Sequence, residues 1–457
     1  MKTATNMFAT ALIIVLMMLV SSTAIFAADY TRQDLDKALA GLKNPNLNLR
    51  MEAINFFLDN PLIPEAYEPL LEALNSETEH GPKFNLIGIV SNYKNPSALP
   101  AVIKFLNDAK GGNNFDLDRS FIALMKIGGD DAQRIIDEGL KSDNTTVKNS
   151  IIVALSYKKK YAYGKEYGNI ASFLSDKDKS TRIAAIRALG RVGSDESFDK
   201  LQPLLAHLED FEVYDALLSS FAMINNERSV DAILLAFKDV NVQIRVIAGK
   251  SLGSVNQDRA IDALINALST DKEVLVRKQV IGSLIQQKNA RAIPALIAAL
   301  KDNNAGARSA AALALGREPF IDKDAFKPLL ALLDDEAGIV SASAAQVLGA
   351  YKDKEAIDPL IKALQNDYNK TRSNAVTSLF AIGGDEELDV IGLAMGRELD
   401  HTVLHTMIAV MKKMTDKVTA AKYIETATKN ARKDNQKLDI EFTTAHLALV
   451  GNTTGLH

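Results

Sequence analysis

The chain has 457 residues, no cysteine, no tryptophan, and a formal charge of −4 at pH 7 from 53 basic and 57 acidic side chains. Without cysteine there is no disulfide, no thiolate nucleophile and no cysteine-ligated metal, and the near-balanced charge excludes a global electrostatic drive toward nucleic acid or an anionic membrane. Aliphatic residues are plentiful and aromatics make up only 6%, which suits thin helix pairs packed through Ala, Leu and Ile, as one long array or as two or three ordinary domains.

The first element is a short targeting segment. Lys2 gives a positive start, Met7–Val20 is almost wholly apolar, and small residues follow at Ser21, Ser22, Ala24, Ala27 and Ala28. Residues 1–27 are therefore expected to be a signal peptide cleaved after Ala27, because the apolar stretch is shorter than the ~20 residues of a typical span. No cysteine is present for bacterial lipid anchoring. A periplasmic or extracellular location follows as the expectation, with no membrane span in the mature chain.

Residues 28–175 show a degenerate form of a pattern that becomes regular over 176–399. It returns every 31 to 33 residues and is clearest in STRIAAIRALGRVG (Ser180–Gly193), VQIRVIAGKSLGSV (Val242–Val255), VLVRKQVIGSLIQQ (Val274–Gln287), AGARSAAALALGRE (Ala305–Glu318) and NKTRSNAVTSLFAIG (Asn369–Gly383). Each block precedes a shorter apolar run such as AIDALINAL (Ala260–Leu268). A fixed period of this size means stacked supersecondary units. Within one unit, Ile244, Ile247, Ala248, Ser251 and Leu252 recur at helical spacing, and Asn256–Asp258 supply a turn. Ile261, Leu264, Ile265 and Leu268 mark a second helix, and the Ser-Thr-Asp run at 269–271 offers a cap for the next unit. Equivalent first helices are expected near Arg50, Lys83, Leu117, Lys148, Arg182, Tyr214, Arg245, Arg277, Arg308, Ser341, Arg372 and Val403. The pattern loosens after residue 400, where residues 400–457 are expected to form a C-terminal helical cap of two or three longer helices.

The recurring D-x-x-x-x-[VI]-R-x-x-A-x-x-A-L-G followed by A-[IV]-x-P-L-[IL]-x-A-L resembles HEAT repeats, particularly the short bacterial type also found in phycobilisome lyases. The resemblance covers roughly residues 30–400 and is close at Asp176–Leu208, Asp239–Leu268 and Asp302–Leu333. It implies an all-α fold: an α-solenoid of about twelve stacked helical hairpins in a right-handed superhelix, with second helices lining the concave side. It also implies that Arg182, Arg245, Arg277, Arg308 and Arg372 form a structural ladder, pairing with turn residues such as Asp239, Asp271 and Asp302. A planar guanidinium suits that bidentate role. Tyr214 and Ser341 depart from the pattern and are expected to interrupt the ladder. The glycines of the ALG motif (Gly190, Gly253, Gly316, Gly349) are expected to accept left-handed caps and let the next helix approach.

Catalytic signals are missing: there is no GxSxG, P-loop, GxGxxG opening a helix, or HExxH. His401 and His405, with Asp400 nearby, have the i, i+4 spacing of two zinc ligands, but no third ligand is identifiable. No metal or cofactor is expected.

Two surfaces stand out instead. The outward start of each second helix carries Asp199, Arg228, Arg259, Arg291, Asp324, Glu355 and Glu386 in order, three arginines followed by three acids. Helices packed about 10 Å apart would turn this column into a positive strip beside a negative one. The next exposed column, Ala206, Leu235, Asn266, Ala298, Ala331 and Lys362, is mostly small and apolar. A charged rim above a small apolar floor fits an extended peptide or a helix, with Arg228, Arg259 and Arg291 meeting acidic groups of a protein partner. Neighbouring carboxylates such as Asp231 or Asp258 are the competing claimants on those arginines. The second surface is the turn Ser156–Asn169, where Lys158, Lys159, Lys160, Tyr161 and Tyr163 interleave charge with aromatic rings.

The function expected from these features is an exported, non-catalytic protein-binding scaffold or adaptor. The alternatives are a lyase- or chaperone-like factor acting on a cofactor-bearing protein, and a structural component of an envelope assembly.

Overall fold

The computed structural model describes residues 30–109, 114–157, 167–207, 210–413 and 416–431. Every regular element among them is helical, and no strand occurs. The fold is an all-α solenoid. First helices begin at Leu47, His80, Asn114, Thr145, Lys179, Phe211, Val242, Val274, Ala305, Gly338, Asn369 and His401. The segment expected to be a signal peptide lies outside the described residues, as does residue 432 onward of the expected cap. Contacts divide the chain into two compact units, one ending at Val192 and the other beginning at Gly193.

In the first unit, Leu47–Asp59 is followed by Tyr67–Ser76, His80–Asn92 by Leu99–Ala109, and Asn114–Ile127 by Asp130–Leu140. Thr145–Ser156 and Lys179–Val192 pack side by side as neighbouring first helices. In the second unit, the pairs are Phe211–Ile224 with Glu227–Ala236, Val242–Leu252 with Asp258–Thr270, and Val274–Gln287 with Ile293–Ala299. Ala305–Leu315 with Lys323–Ala331, Gly338–Tyr351 with Ile357–Ala363, and Asn369–Gly383 with Leu388–Met395 continue the series. Beyond residue 400 the repeat persists as His401–Met411 and Lys417–Ala431.

The apolar spacing translates directly into burial. Of the positions read as one unit's apolar stripes, Ile247, Ala248, Ser251, Leu252, Ile261, Leu264 and Leu268 are buried, while Ile244 and Ile265 are half-buried. Helix starts are set by short polar side chains: Asn46, Asn144, Asn241, Asn304 and Asp400 each accept hydrogen bonds from first-turn amides. The 269–271 run behaves differently from the expectation. Glu273 occupies the cap position of Val274–Gln287, and Asp271, two residues earlier, accepts the Glu273 N–H at 2.9 Å. The aspartate shapes the turn instead of capping the helix.

The ALG glycines meet one half of the expectation, the close approach of the next helix, and not the other, the left-handed cap. Gly253 and Gly316 keep negative φ values of −59° and −87°. Left-handed ends fall on Asn225, Lys288 and Lys352 instead. The motif needs glycine for close approach: a Cβ on Gly316 would lie 2.7 Å from Val347 Cβ, and one on Gly349 would lie 2.7 Å from Ser378 Oγ. Neighbouring first helices are further tied by buried polar bonds. Ser283 Oγ donates to the Gly249 carbonyl (2.8 Å), Ser309 and Ser343 share a bond (2.8 Å), and Asn374 Nδ2 donates to the Ala342 carbonyl (2.8 Å).

These packing contacts separate two glycines that look alike in sequence. Gly282, inside Val274–Gln287, has open space where a Cβ would sit. Gly282→Ala is expected to raise stability by roughly 0.5–1 kcal/mol, since alanine is the better helix former. Gly316→Ala forces Val347 to move and is expected to lower stability by about 1–3 kcal/mol. Denaturant unfolding followed by circular dichroism checks both; equal shifts in one direction would refute the packing argument.

Candidate functional site

The most regular polar feature is a series of arginine clamps between successive turns. Arg245 Nε and Nη2 donate to the two carboxylate oxygens of Asp271 (2.8 and 3.2 Å), while Nη1 donates to the carbonyls of Asp239 and Val240 (2.8 and 3.2 Å). Arg277 repeats the arrangement with Asp302 (2.7 and 2.8 Å) and with the carbonyls of Asp271 and Lys272. Arg308 clamps Asp335 at 2.8 Å twice, and Arg372 clamps Glu398 at 2.7 and 2.8 Å. Each guanidinium thus binds the carbonyl end of its own turn and the carboxylate of the next. This corrects the expected partnership with Asp239, whose carbonyl, not its carboxylate, serves Arg245. Arg182 donates Nη1 to the carbonyls of Asp176 and Lys177 (2.8 and 3.1 Å).

Two further rungs escaped the sequence pattern. Arg50 clamps Glu77 (2.9 and 3.2 Å), and Lys148 reaches Asp176 (3.3 Å). The signal that would have found them is an acid two residues before a helix cap, 25 to 28 residues after the basic residue. At Ser341 the ladder is replaced by a hydroxyl bond to Thr371 (2.8 Å).

The clamps are nearly buried. Arg277 and Asp302 side chains are 9% and 8% exposed. The hydrogen bond it donates to Asp302 holds the Arg277 guanidinium above its ordinary pKa against the opposing effect of burial. For Asp302 burial is the largest influence and acts upward. The hydrogen bonds from Arg277 and the Asn304 N–H, with the charges of Arg277 and Arg308, outweigh it and leave the carboxyl below its ordinary range. Asp335 and Glu77 are lowered by the same balance.

In the rim column the arginines meet neighbouring carboxylates, among them the claimants Asp231 and Asp258. Arg228 donates Nη2 to Asp199 (2.7 Å) and lies over the Phe198 ring at 4.7 Å. Arg259 pairs with Asp231 and donates to the Glu227 carbonyl (2.7 Å), and Arg291 pairs with Asp262 and with Asp258 (3.1 Å). The three arginines do not make a free positive strip; each is matched by a carboxylate from the preceding second helix. The result is a zwitterionic staircase, with Arg228, Arg259 and Arg291 side chains 54%, 37% and 49% exposed. Asp324 and Glu355 are exposed. The Glu386 side chain lies outside the described residues, as do Lys158, Lys159, Lys160, Tyr161 and Tyr163.

Beside the staircase, Ala206, Leu235, Asn266, Ala298, Ala331 and Lys362 are all exposed, and the row between, Ala232, Ala263, Ala295, Pro328 and Pro359, is half-buried. Leu235 is 75% exposed, and Leu393, one repeat beyond Lys362, is 67% exposed. Near the C-terminal repeat, Asp400 accepts Asn369 Nδ2 (2.8 Å) and the amides of Thr402 and Val403, so its oxygens are already engaged. Among the described residues no group of three or more His, Asp or Glu side chains could hold a metal ion. Among the same residues no helix is long and apolar enough to cross a membrane.

Lowered carboxyls contribute stability that is fully present above their unfolded pKa and is lost as pH falls through the folded one. The unfolding midpoint is therefore expected to stay level through neutral pH and to fall below about pH 4. Asp302→Asn is expected to flatten part of that fall and to lower stability at neutral pH by about 2–3 kcal/mol, whereas Arg228→Ala, at an exposed pair, costs under about 1 kcal/mol. Melting curves from pH 8 to pH 2 decide it. An unchanged acid limb in Asp302→Asn would show that the clamp does not govern acid stability.

The family model of HEAT repeats matches residues 169–243, 230–316 and 326–412, just over half of the chain. Among solved structures the chain is similar to Kap95p bound to RanGDP, with 13% identity, 93% of this chain and 66% of that chain covered, and a TM-score of 0.46. It is also similar to YibA of Escherichia coli, with 20% identity over 55% of this chain and 98% of that one, TM-score 0.38. A third match is the CpcE–CpcF complex of phycocyanin lyase from Nostoc, with 17% identity over 53% of this chain and 94% of that one, TM-score 0.28. The chain spans about two thirds of the length of Kap95p. No curated protein sequence matches it.

Proposed function

The chain belongs to the HEAT-repeat family, and from that premise we propose that it is an exported, non-catalytic scaffold that holds a protein partner along the outward face of its second helices. One observation carries the reading. Over successive repeats Ala232, Ala263, Ala295, Pro328 and Pro359 form a row of short side chains, flanked on one side by the ion-pair staircase and on the other by the exposed 206–362 column. Short residues let a partner's backbone come close, and the flanking arginines are already held in place by Asp199, Asp231 and Asp262, so little side-chain freedom is lost on binding. Because those arginines are neutralised within the chain, the face selects by shape and hydrogen bonding, not by attraction to an acidic partner.

Export is read from the basic start, the apolar Met7–Val20 and the small residues before Ala28. The expected outcome is a mature chain outside the cytoplasm whose first residue is Ala28, established by N-terminal sequencing of the native protein; a full-length cytoplasmic chain would overturn it.

A photoreactive side chain placed at Ala295 is expected to cross-link a discrete protein in an envelope extract, whereas the same group at exposed Lys278 on a first helix yields none. Equal labelling from both positions would remove the assignment to this face, and no labelling from either would remove the scaffold reading.

A further inference from the structure

The ladder is interrupted in three described turns, and they are not alike. Opposite Leu117 and Ser341 the acid is missing together with the base: the turn residues are Ser142 and Asn366, which accept the N–H groups of Asn144 (3.1 Å) and Tyr368 (2.9 Å). A neutral residue therefore suffices to shape this turn. Opposite Tyr214 the acid is retained. Asp239 Oδ1 accepts the Asn241 N–H at 2.7 Å, and its carbonyl receives Arg245 Nη1 at 2.8 Å. Asp271 and Asp302 each serve two arginines, one on the carbonyl and one on the carboxylate. Asp239 has only the first, and among the described residues no lysine or arginine forms an ion pair with its carboxylate.

This half-filled rung opens into a cavity of about 730 Å³ whose walls include Tyr214, Asp239, Leu205, Leu235 and Val240, with Lys238 and the Asp199-paired Arg228 also on its lining. Val240 is 96% exposed at the turn position where clamped turns carry Lys272, Asn303 and Glu336. With Leu235 at 75% exposure it gives the cavity an apolar wall facing solvent. The Tyr214 hydroxyl is pushed up by burial and, secondarily, by the Asp239 charge, which places the ring beside the carboxylate.

We propose that this cavity is a guanidinium socket: an arginine side chain of an extended segment of a protein partner enters it and supplies the missing rung. Its Nε and Nη2 take the two Asp239 oxygens as Arg245 takes those of Asp271, and its methylenes lie against Leu205, Leu235 and Val240. The chain's own clamps define the chemistry, since the same carboxylate position holds a bidentate guanidinium fork in five other turns and a single lysine contact, from Lys148, in one. A lysine ammonium cannot span both oxygens, and a neutral citrulline forfeits the charge. The inference rests on the protein-binding reading and names one contact within it.

The test uses the mature chain with methyl-labelled Leu and Val, titrated by NMR with the peptide acetyl-Ala-Leu-Arg-Leu-Ala-amide and with its Lys and citrulline counterparts. Saturable shifts are expected at Leu205, Leu235 and Val240, with the Lys and citrulline peptides at least about tenfold weaker. Asp239→Asn is expected to abolish the arginine preference while keeping the fold, as Asn366 holds the equivalent turn. Tyr214→Arg is expected to fill the socket from within, blocking the peptide and raising the unfolding midpoint; if that variant fails to fold, Asp239→Asn carries the decision. Equal binding of arginine and citrulline peptides, no binding at all, or a preference that survives Asp239→Asn would each overturn the socket. The peptide titration reads the socket alone, and cross-linking from Ala295 reads the neighbouring face alone, so either can fail without the other.

Discussion

A helical hairpin of some thirty residues cannot bury both sides of its apolar surface by itself, so every repeat in this chain is stable only through the next. That constraint explains why Leu252, Leu284 and Leu315, each fully buried, sit at matching positions in successive first helices. It also explains why the strongest polar contacts run between turns and not within them. A guanidinium that reaches from one turn's carbonyls to the next turn's carboxylate fixes the spacing of the stack at each step. Burial supplies the bulk of the driving force, and the clamp sets the register.

The same residue type therefore does two jobs at two depths. Arg277 is nearly buried and bidentate, so removing its partner leaves a charge that water cannot easily reach. Arg228 is more than half exposed, and its pairing with Asp199 mainly orders the surface. Both sets link neighbouring repeats, yet only the buried set bears strongly on stability. The exposed set matters for what the surface offers: it cancels the positive charge that a column of three arginines would otherwise present.

Much of the fold was legible because helical periodicity and the 31- to 33-residue repeat are local signals. The ladder arginines were legible for the same reason. Their partners were less so: nothing local says that Arg245 takes the Asp239 carbonyl but the Asp271 carboxylate, 26 residues later. The staircase was legible only as one of two readings: Asp231 and Asp258 stood as claimants on the arginines, but a helix wheel could not show that Asp231, 28 residues before Arg259, lies beside it. For the ALG glycines the close approach of the next helix was legible, as Val347 against Gly316 shows, but the left-handed cap was not, because sequence alone does not give the backbone angle at Gly253 or Gly316. The retained acid at 239 became informative only when the neutral turns at Ser142 and Asn366 could be laid beside it.

The hydroxyl and amide bonds between first helices have a further effect on how such a chain can evolve. Ser309 needs Ser343, Ser341 needs Thr371, and Asn374 needs the Ala342 carbonyl, and none of these pairings recurs unchanged from one junction to the next. Clamped turns are interchangeable modules, but these junctions are individual keys. Duplicating or excising one repeat would strand a buried donor or acceptor at the new seam. Lengthening of the array is therefore steered toward its ends, where a new unit meets only one existing neighbour.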